Sequence, residues 1–515
     1  MTPPAHPDGG GSSLKNAQYG EAAPDPTAVR EDEGGDERSF RELVRIRSFR
    51  DLWFAQALSQ TAHNGIHFVE LIMIARLTQS SGHVGIMILA FSLPAVFFSA
   101  SAGVIVDRLP KRRILFYSNL VRIFTALSYI AALHVLHGRP LLLWVYSITF
   151  FASAIGQFFA PAEAAMIPLL VGRRRLLTAN SLFNLTMTAT QVLGLIIIFP
   201  LLVKIGALLL GAGREFDLSF AVVASFYAVA AWLVRHLPAD KPQPITVNEP
   251  SAVRKALREI REGWAFIRDH KMLWVPMVNL SMTATLVMIL ATIAPNFAAH
   301  VLRVSQEDAV YIFAPAGIGM VLGTFLIGRF GHRLRRESLS NAGMVGQGVV
   351  VGALGLAGWV LQGSAQLIFI VAGLALLLGF GFAAIGIPAQ TMLQERTPAR
   401  IRGRVFSVQF LLANLFSIPP MLFAGTLADR ISIPPVAVIT AMGVLVLAAI
   451  SVWITRRYEE REAHAEEVER EWRAAEHWAE LEAELDGATV EQLFTRDGAR
   501  RDVHQSHRQE LRPED

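Results

Sequence analysis

Residues 83–113 read HVGIMILAFSLPAVFFSASAGVIVDRLPKRR. From Val84 to Val106 no side chain carries a charge, a run longer than the roughly 20 apolar residues that take a helix across a bilayer. Asp107 and Arg108 end it, Leu109-Pro110 turns the chain, and Lys111, Arg112 and Arg113 follow at once. Cations of this kind collect on the cytoplasmic side of a membrane, so the segment reads as a spanning helix that ends in the cytoplasm.

The same alternation of apolar run and turn continues in both directions. Twelve spans follow from it, at 51–78, 83–106, 114–135, 140–160, 177–206, 216–236, 272–299, 308–330, 338–361, 366–388, 402–427 and 434–456. Arginine clusters stand only after even-numbered spans: Arg173, Arg174 and Arg175; Arg329, Arg333, Arg335 and Arg336; Arg396, Arg400, Arg402 and Arg404. The odd-numbered loops hold Arg139, Arg214, Arg303 and Arg430, each nearly alone. An even span count with cations on one side places both termini in the cytoplasm of a plasma-membrane protein.

Composition agrees. The chain has 515 residues, 52% hydrophobic and 17% charged, with a mean hydropathy of +0.40; an average soluble domain carries about 25% charged residues. The net charge of +4 gives no reason to expect a nucleic-acid partner. Cysteine is absent, which excludes disulfides, thiol catalysis and thiolate metal sites. Residues 1–44 are rich in Gly, Pro and acids and read as a disordered tail. The spans divide into 45–237 and 272–456, joined by a linker over 238–271. In that linker Val253, Leu257, Ile260, Trp264 and Ile267 at 4-3-4-3 spacing oppose Arg254, Lys255, Arg258 and Arg261, the pattern of an amphipathic helix in the headgroup layer. Residues 457–515 carry alternating charges at helical spacing and read as a solvated helical tail.

A weak internal repeat pairs Ala160-Pro161-Ala162-Glu163 with Ile387-Pro388-Ala389-Gln390, each followed by a basic loop. Parallel six-helix halves of this kind are the architecture of major facilitator transporters. Gly103-Val104-Ile105-Val106-Asp107-Arg108 followed by Lys111-Arg112-Arg113 resembles that family's cytoplasmic loop, with Pro110 where a small residue is usual. Further stretches resemble the subgroup holding the enterobactin exporter and macrolide-efflux proteins, and in part the bacterial lysophospholipid transporter. They are Phe158-Phe159-Ala160-Pro161-Ala162, Ile167-Pro168, Leu176-Leu177-Thr178-Ala179-Asn180-Ser181-Leu182, Gln394-Glu395-Arg396-Thr397-Pro398 and Arg402-Gly403-Arg404-Val405-Phe406. The resemblance covers about residues 45–456 and implies an all-α fold of 12 transmembrane helices in two six-helix halves. Two departures stand out. Span one reads Ser59-Gln60-Thr61-Ala62-His63 where the group has Ser-x-x-Gly-Asp, and span five keeps Gly194-Leu195, with Pro200 later, of the antiporter pattern. The group's usual proton-antiport residues are therefore not carried over.

Span one holds the pattern richest in chemistry. Gln56, Gln60, His63, His67 and Glu70 share one helix face, with Asn64 beside them. Ionisable groups in a bilayer face water-filled cavities or one another, so the stripe is a proton- or substrate-binding site or an interhelical pairing. A metal site of His63, His67 and Glu70 lacks a further ligand. Neutral stripes follow on span five (Asn180, Asn184, Thr188, Gln191), span seven (Asn279, Thr283) and span eleven (Gln409, Asn414). The resemblance implies that these converge on a central cavity. It also implies a gating loop of Gly103, Asp107, Arg108, Arg112 and Arg113, in which Asp107 meets the N-terminus of span eleven near Arg402-Gly403 as a latch between the halves.

Gly317-Ile318-Gly319-Met320-Val321-Leu322-Gly323 imitates a dinucleotide loop but lies in an apolar span, where Gly319 and Gly323 form a helix-packing face. No phosphate-binding loop of the P-loop kind occurs. The expectation is a monomeric secondary transporter, neither an enzyme nor dependent on a cofactor or metal, that exports a small amphipathic compound such as a drug or siderophore against protons. Movement of a lysophospholipid and a non-transporting sensor or scaffold are the alternatives. The topology is checked directly in this Cys-free chain. Cysteines placed at Ser12 and Ser506 should both resist an impermeant thiol reagent in intact cells, and labelling of one alone breaks the even span count.

Overall fold

The computed structural model describes residues 42–172, 175–211, 213–240, 252–398 and 400–486. The tail expected as disordered, but for 42–44, and the end of the C-terminal tail lie outside these. Among the described residues there are helices and no strands. They are α1 Arg47–Thr78, α2 Ser81–Arg108, α3 Lys111–Val135, α4 Arg139–Val171, α5 Leu176–Val192, α6 Phe199–Leu210 and α7 Asp217–Arg235. The linker helix α8 Ala252–Asp269 precedes α9 Trp274–Phe297, α10 Val310–Phe330, α11 Arg336–Val360, α12 Ala365–Glu395, α13 Arg402–Ile431 and α14 Ile433–Asp486.

Ten helices are long and apolar enough to cross a membrane, the rod Thr178–Leu210 formed by α5 and α6 counting as one. The remaining two of the twelve expected spans differ for separate reasons. The 32 residues of α1 carry the polar stripe that lowers its hydropathy. In α10 the apolar stretch that qualifies is the shorter Ala314–Phe330.

Several boundaries shift. Helix α4 was expected to end at 160 but continues through Pro161 and Pro168 to Val171, as membrane helices do when neighbours satisfy the freed carbonyls. Between α5 and α6 the residues Leu193–Ile198 form a π-turn. It sits just ahead of Pro200, whose ring excludes the carbonyl four residues back and whose missing N–H cannot close a normal turn. Helix α14 runs 54 residues from the last span into the charged tail without a break.

The helix contacts repeat between the two halves of the chain. α2 packs on α4 as α10 packs on α12, α3 on α7 as α11 on α14, and α3 on α4 as α11 on α12. Glycines permit the closest approaches. A Cβ at Gly319 would overlap the Leu376 carbonyl, one at Gly379 the Ala316 carbonyl, and one at Gly323 would lie 2.9 Å from the Ala383 Cβ. α1 meets the π-turn in the same manner, for a Cβ at Gly194 would stand 2.8 Å from the Thr61 carbonyl.

Two further expectations are corrected. The end of the apolar face of α8 covers protein rather than lipid: Ile267 is fully buried and clusters with Leu273, Met277, Leu393, Val405 and Val408, while the side chains of Val253 and Leu257 lie outside the described residues. A Cβ at Gly263 would sit 2.7 Å from the Arg404 carbonyl, and Glu262 pairs with Arg404, so α8 is docked on the start of α13. Trp264 stays exposed.

Asn279, expected at a cavity, is fully buried in a polar knot that ties α9, α11 and α14. Its Nδ2 donates to Ser340 Oγ at 2.8 Å, and Ser451 Oγ lies 3.0 Å from its Oδ1 and 2.8 Å from Asn341 Oδ1. A buried amide is stable only when its donors and acceptors are used, and here three helices supply the partners.

The halves meet at one end. Asp429, at the end of α13, lies across the start of α2: its Oδ1 accepts the Ser81 N–H at 2.6 Å, and its Oδ2 accepts the Gly82 N–H at 3.0 Å and the Ser80 hydroxyl at 2.6 Å. Asn296 of α9 donates to Ser81 Oγ at 3.0 Å, Gln306 donates to Asn296 Oδ1 at 3.1 Å, and Lys204 of α6 pairs with Asp308. This is the end opposite the basic loops.

The glycine contacts of α10 and α12 generate a stability prediction. Gly379→Val pushes a side chain into a backbone carbonyl that cannot rotate away, and should lower stability by about 1–3 kcal/mol. Gly373→Ala, on the same helix with open space at its Cβ, should leave the melting temperature of the purified protein unchanged. Equal melting of both variants would remove the close crossing.

Candidate functional site

A cavity of about 840 Å3 opens among α1, α2, α3, α4 and α5. It runs from His67, midway along α1, toward Gln56, Ile167 and Asn180, which lie near the basic-loop ends of their helices. The sealed end at Asp429 and this cavity therefore point in opposite directions. Its volume falls in the range of about 300–1,000 Å3 usual for sites that hold small molecules.

The stripe on α1 divides in two. Gln56, Gln60, His63 and His67 line the cavity. Glu70, expected there as well, is 1% exposed and held behind them. Its Oε1 accepts the Tyr129 hydroxyl at 2.6 Å and the Thr149 hydroxyl at 3.3 Å, and its Oε2 lies 3.1 Å from His67 Nδ1. A carboxylate inside a membrane needs this compensation. An ionised Glu70 is acceptor-only, so His67 then carries its proton on Nδ1 and turns Nε2 away from the carboxylate. The His63 ring stands edge-on to His67 at 4.5 Å between centroids. A second void of about 20 Å3, lined by His63, His67, Glu70, Arg122, Thr149 and Tyr227 among others, lies beside the pair; it has room for about one water.

Asn184, with Asn180, reaches the cavity from α5. The other expected site residues do not line it. Gln191 is exposed on α5, Gln409 is half-buried on α13, and Asn414 returns its Nδ2 to the Phe410 carbonyl at 2.8 Å. Asn64 is half-buried and packs where Gly194 crosses α1.

Only part of the gating loop is described. Arg112 donates its backbone N–H to Asp240 Oδ1 at 3.2 Å and Nη1 to the Leu237 carbonyl at 2.9 Å, and Lys111 donates its N–H to Asp240 at 2.7 Å. Asp240 thus caps α3 within one half of the chain, where the helix dipole favours an anion. Arg108 and Arg113 are exposed. The side chains of Gly103 and Asp107 lie outside the described residues. A Cβ at Gly403 would meet nothing within 4 Å, and the neighbour packed on the start of α13 is α8, through Glu262 and Gly263.

Two residues of the cavity escaped the sequence reading. Arg122 of α3 is 5% exposed, with its guanidinium carbon 4.8 Å from the Phe159 ring centroid and 5.4 Å from that of Tyr227. Its Nη1 is buried and has no hydrogen-bond partner among the described residues. Glu163 of α4 is 7% exposed and its Oε1 is likewise without a partner, as are both amide atoms of Gln56. The signal for Arg122 was a lone cation in the middle of span 114–135. Glu163 was hidden because its span was ended at 160.

The chain is similar to known proteins. A macrolide efflux protein A of Streptococcus pyogenes is 24% identical over 75% of this chain and 90% of its own length. An enterobactin exporter of Shigella boydii is 24% identical over 70% of this chain and 80% of its own. The solved structure of a bacterial homologue of the human lysosomal transporter Spinster, inward-facing and unoccupied, superposes with a TM-score of 0.62 at 15% identity. It covers 81% of this chain and 98% of that one. The profile of the Major Facilitator Superfamily matches residues 52–419. Since that match runs from the start of α1 into α13, the chain belongs to the Major Facilitator Superfamily and is a multi-pass membrane transporter of the secondary kind rather than an enzyme.

Proposed function

We propose that the protein is a proton-coupled exporter of small amphipathic compounds, with twelve spans, both termini in the cytoplasm and the plasma membrane as its site. The observation that carries this reading is the buried Glu70–His67 pair joined to the cavity through His63. The names of the relatives, one a macrolide efflux protein and one an enterobactin exporter, support the direction of transport.

The chemistry follows from the donor count. Ionised Glu70 uses three donors, from Tyr129, Thr149 and His67. A proton delivered to its Oε2 removes the acceptor that His67 Nδ1–H needs, so the imidazole must turn away or take up a proton at Nε2 as it gives up the one on Nδ1, leaving Nδ1 to accept from the carboxyl. His63, next to it and facing the cavity, is the group positioned to take that change. Glu70 thereby senses protons behind the site while the cavity holds the cargo. In the described conformation the cavity faces the cytoplasm and the Asp429 end is shut; export requires that seal to part.

Two measurements test this. In everted vesicles a proton gradient should drive accumulation of a labelled macrolide probe. Glu70→Gln should abolish that accumulation while gradient-free exchange of the probe persists. Accumulation by the variant equal to that of the wild type would overturn the coupling role. The seal is tested by Asp429→Asn. Exposed ion–dipole contacts are worth ~0.3–1 kcal/mol, so the open-outward population should rise roughly two- to fivefold at low salt and less at high salt, where an exposed charge is screened. The readout is thiol labelling of Ser153→Cys, in the cavity wall, from the extracellular side. Labelling at the rate of the unsubstituted seal would show that Asp429 does not hold it.

A further inference from the structure

Arg122 and Glu163 take no part in the Glu70 relay, and nothing in it explains why two opposite charges stand in one cavity. Each is more than nine-tenths buried, and each keeps a buried polar atom, Nη1 and Oε1, without a partner among the described residues. Groups of this kind are retained inside a membrane where something compensates them. The faces of Phe159 and Tyr227 do so in part for the guanidinium. No hydrogen-bond donor among the described residues reaches the free Glu163 oxygen, and both groups line the cavity.

Helix α4 fixes how far apart they are. Gly156, Phe159 and Glu163 follow at 3-4 spacing on one face. A Cβ at Gly156 would lie 3.1 Å from Arg122 Nη2, so the glycine leaves room for the guanidinium at that level. A rise of about 1.5 Å per residue then puts Glu163 on the order of 6–10 Å further along, toward the basic-loop end. The two groups are thus held at different depths of the cavity, with Phe159 between Gly156 and Glu163 along the helix face. Gln56, fully buried with both amide atoms unused, adds a donor and an acceptor on the facing helix.

We propose that Arg122 and Glu163 form a split anchor for zwitterionic amphiphiles, Arg122 taking the anionic group and Glu163 the cationic one. A carboxylate, sulfonate or phosphate matches the planar donor fork of an arginine. An ammonium group beside Glu163 and Phe159 meets a carboxylate oxygen and an aromatic face together. The apolar body of the ligand packs on Phe91, Phe183 and Met187. A compound with one charge leaves the other protein group buried and unpaired, which is the usual source of discrimination in such sites. This assignment rests on reading the cavity as the substrate site, and not on proton coupling.

The test is equilibrium binding to the full chain in lipid nanodiscs, by calorimetry, with protein-free nanodiscs subtracted for partitioning. The probes share an octyl chain: 3-(octyldimethylammonio)propanesulfonate, octyltrimethylammonium and octyl sulfate. The wild type should bind the zwitterion about tenfold or more tighter than either single ion. Arg122→Gln should bring the zwitterion down to the level of octyltrimethylammonium, and Glu163→Gln to that of octyl sulfate. Equal binding of all three probes by the wild type overturns the proposal, as does a zwitterion preference that survives in both variants. Should a variant fail to fold, thermal stabilisation of the wild type by the three probes decides alone. No gradient is present, so a failure here leaves the Glu70 result standing, and a failure of coupling leaves this selectivity standing.

Discussion

The cost of placing charge in a bilayer orders this molecule. A helix can afford a carboxylate or a guanidinium in its membrane-crossing part only where hydrogen bonds, rings or water meet it. Glu70 meets the cost with Tyr129, Thr149 and His67, and its burial holds α1 against α3 and α4. In the other half Asn279 does so with Ser340 and Ser451, from two neighbouring helices. Arg122, Glu163 and Gln56 keep atoms without a hydrogen-bond partner among the described residues, and so does Gln347 in the other half. The first three line the cavity, where compensation can come from a bound molecule or water.

The sealed end obeys a related rule at the membrane surface. The first N–H groups of α2 have no partners within the helix, and Asp429 brings its carboxylate to two of them from the other half. The arrangement is the counterpart of the latch expected from Asp107 and the start of α13, carried to the opposite ends of the same two helices. A pair of helices that crosses between halves has two such ends, and rocking one half on the other opens one as it closes the other. The exposure of Asp429 keeps the contact weak, which suits a seal that must break in every cycle.

Hydropathy made the fold legible because a membrane helix states its length and polarity in sequence. The apolar runs, the linker helix and the packing role of Gly319 and Gly323 all follow from spacing. What spacing cannot give is the partner. The α1 stripe was visible, yet only the surrounding helices separate Glu70, closed in by Tyr129 and Thr149, from His63 and His67 at the cavity wall. Asn279 has the same local pattern as Asn184, but one is locked between Ser340 and Ser451 and the other faces open space. The apolar face of α8 is periodic whether lipid or α13 covers it. Glu163 was lost for a different reason: Pro161 looked like a helix end, and the carboxylate beyond it was assigned to a loop.

Charge accounting links the two parts of the proposed site. A zwitterion brings no net charge of its own to the proposed anchor of Arg122 and Glu163. The membrane potential, worth about 2.3 kcal/mol per elementary charge per 100 mV, then does no work on the cargo itself. Under the proposed coupling it acts on the proton that Glu70 takes. The small void lined by both Glu70 and Arg122 puts the two proposed functions within reach of each other, with the rings of Phe159 and Tyr227 against the guanidinium.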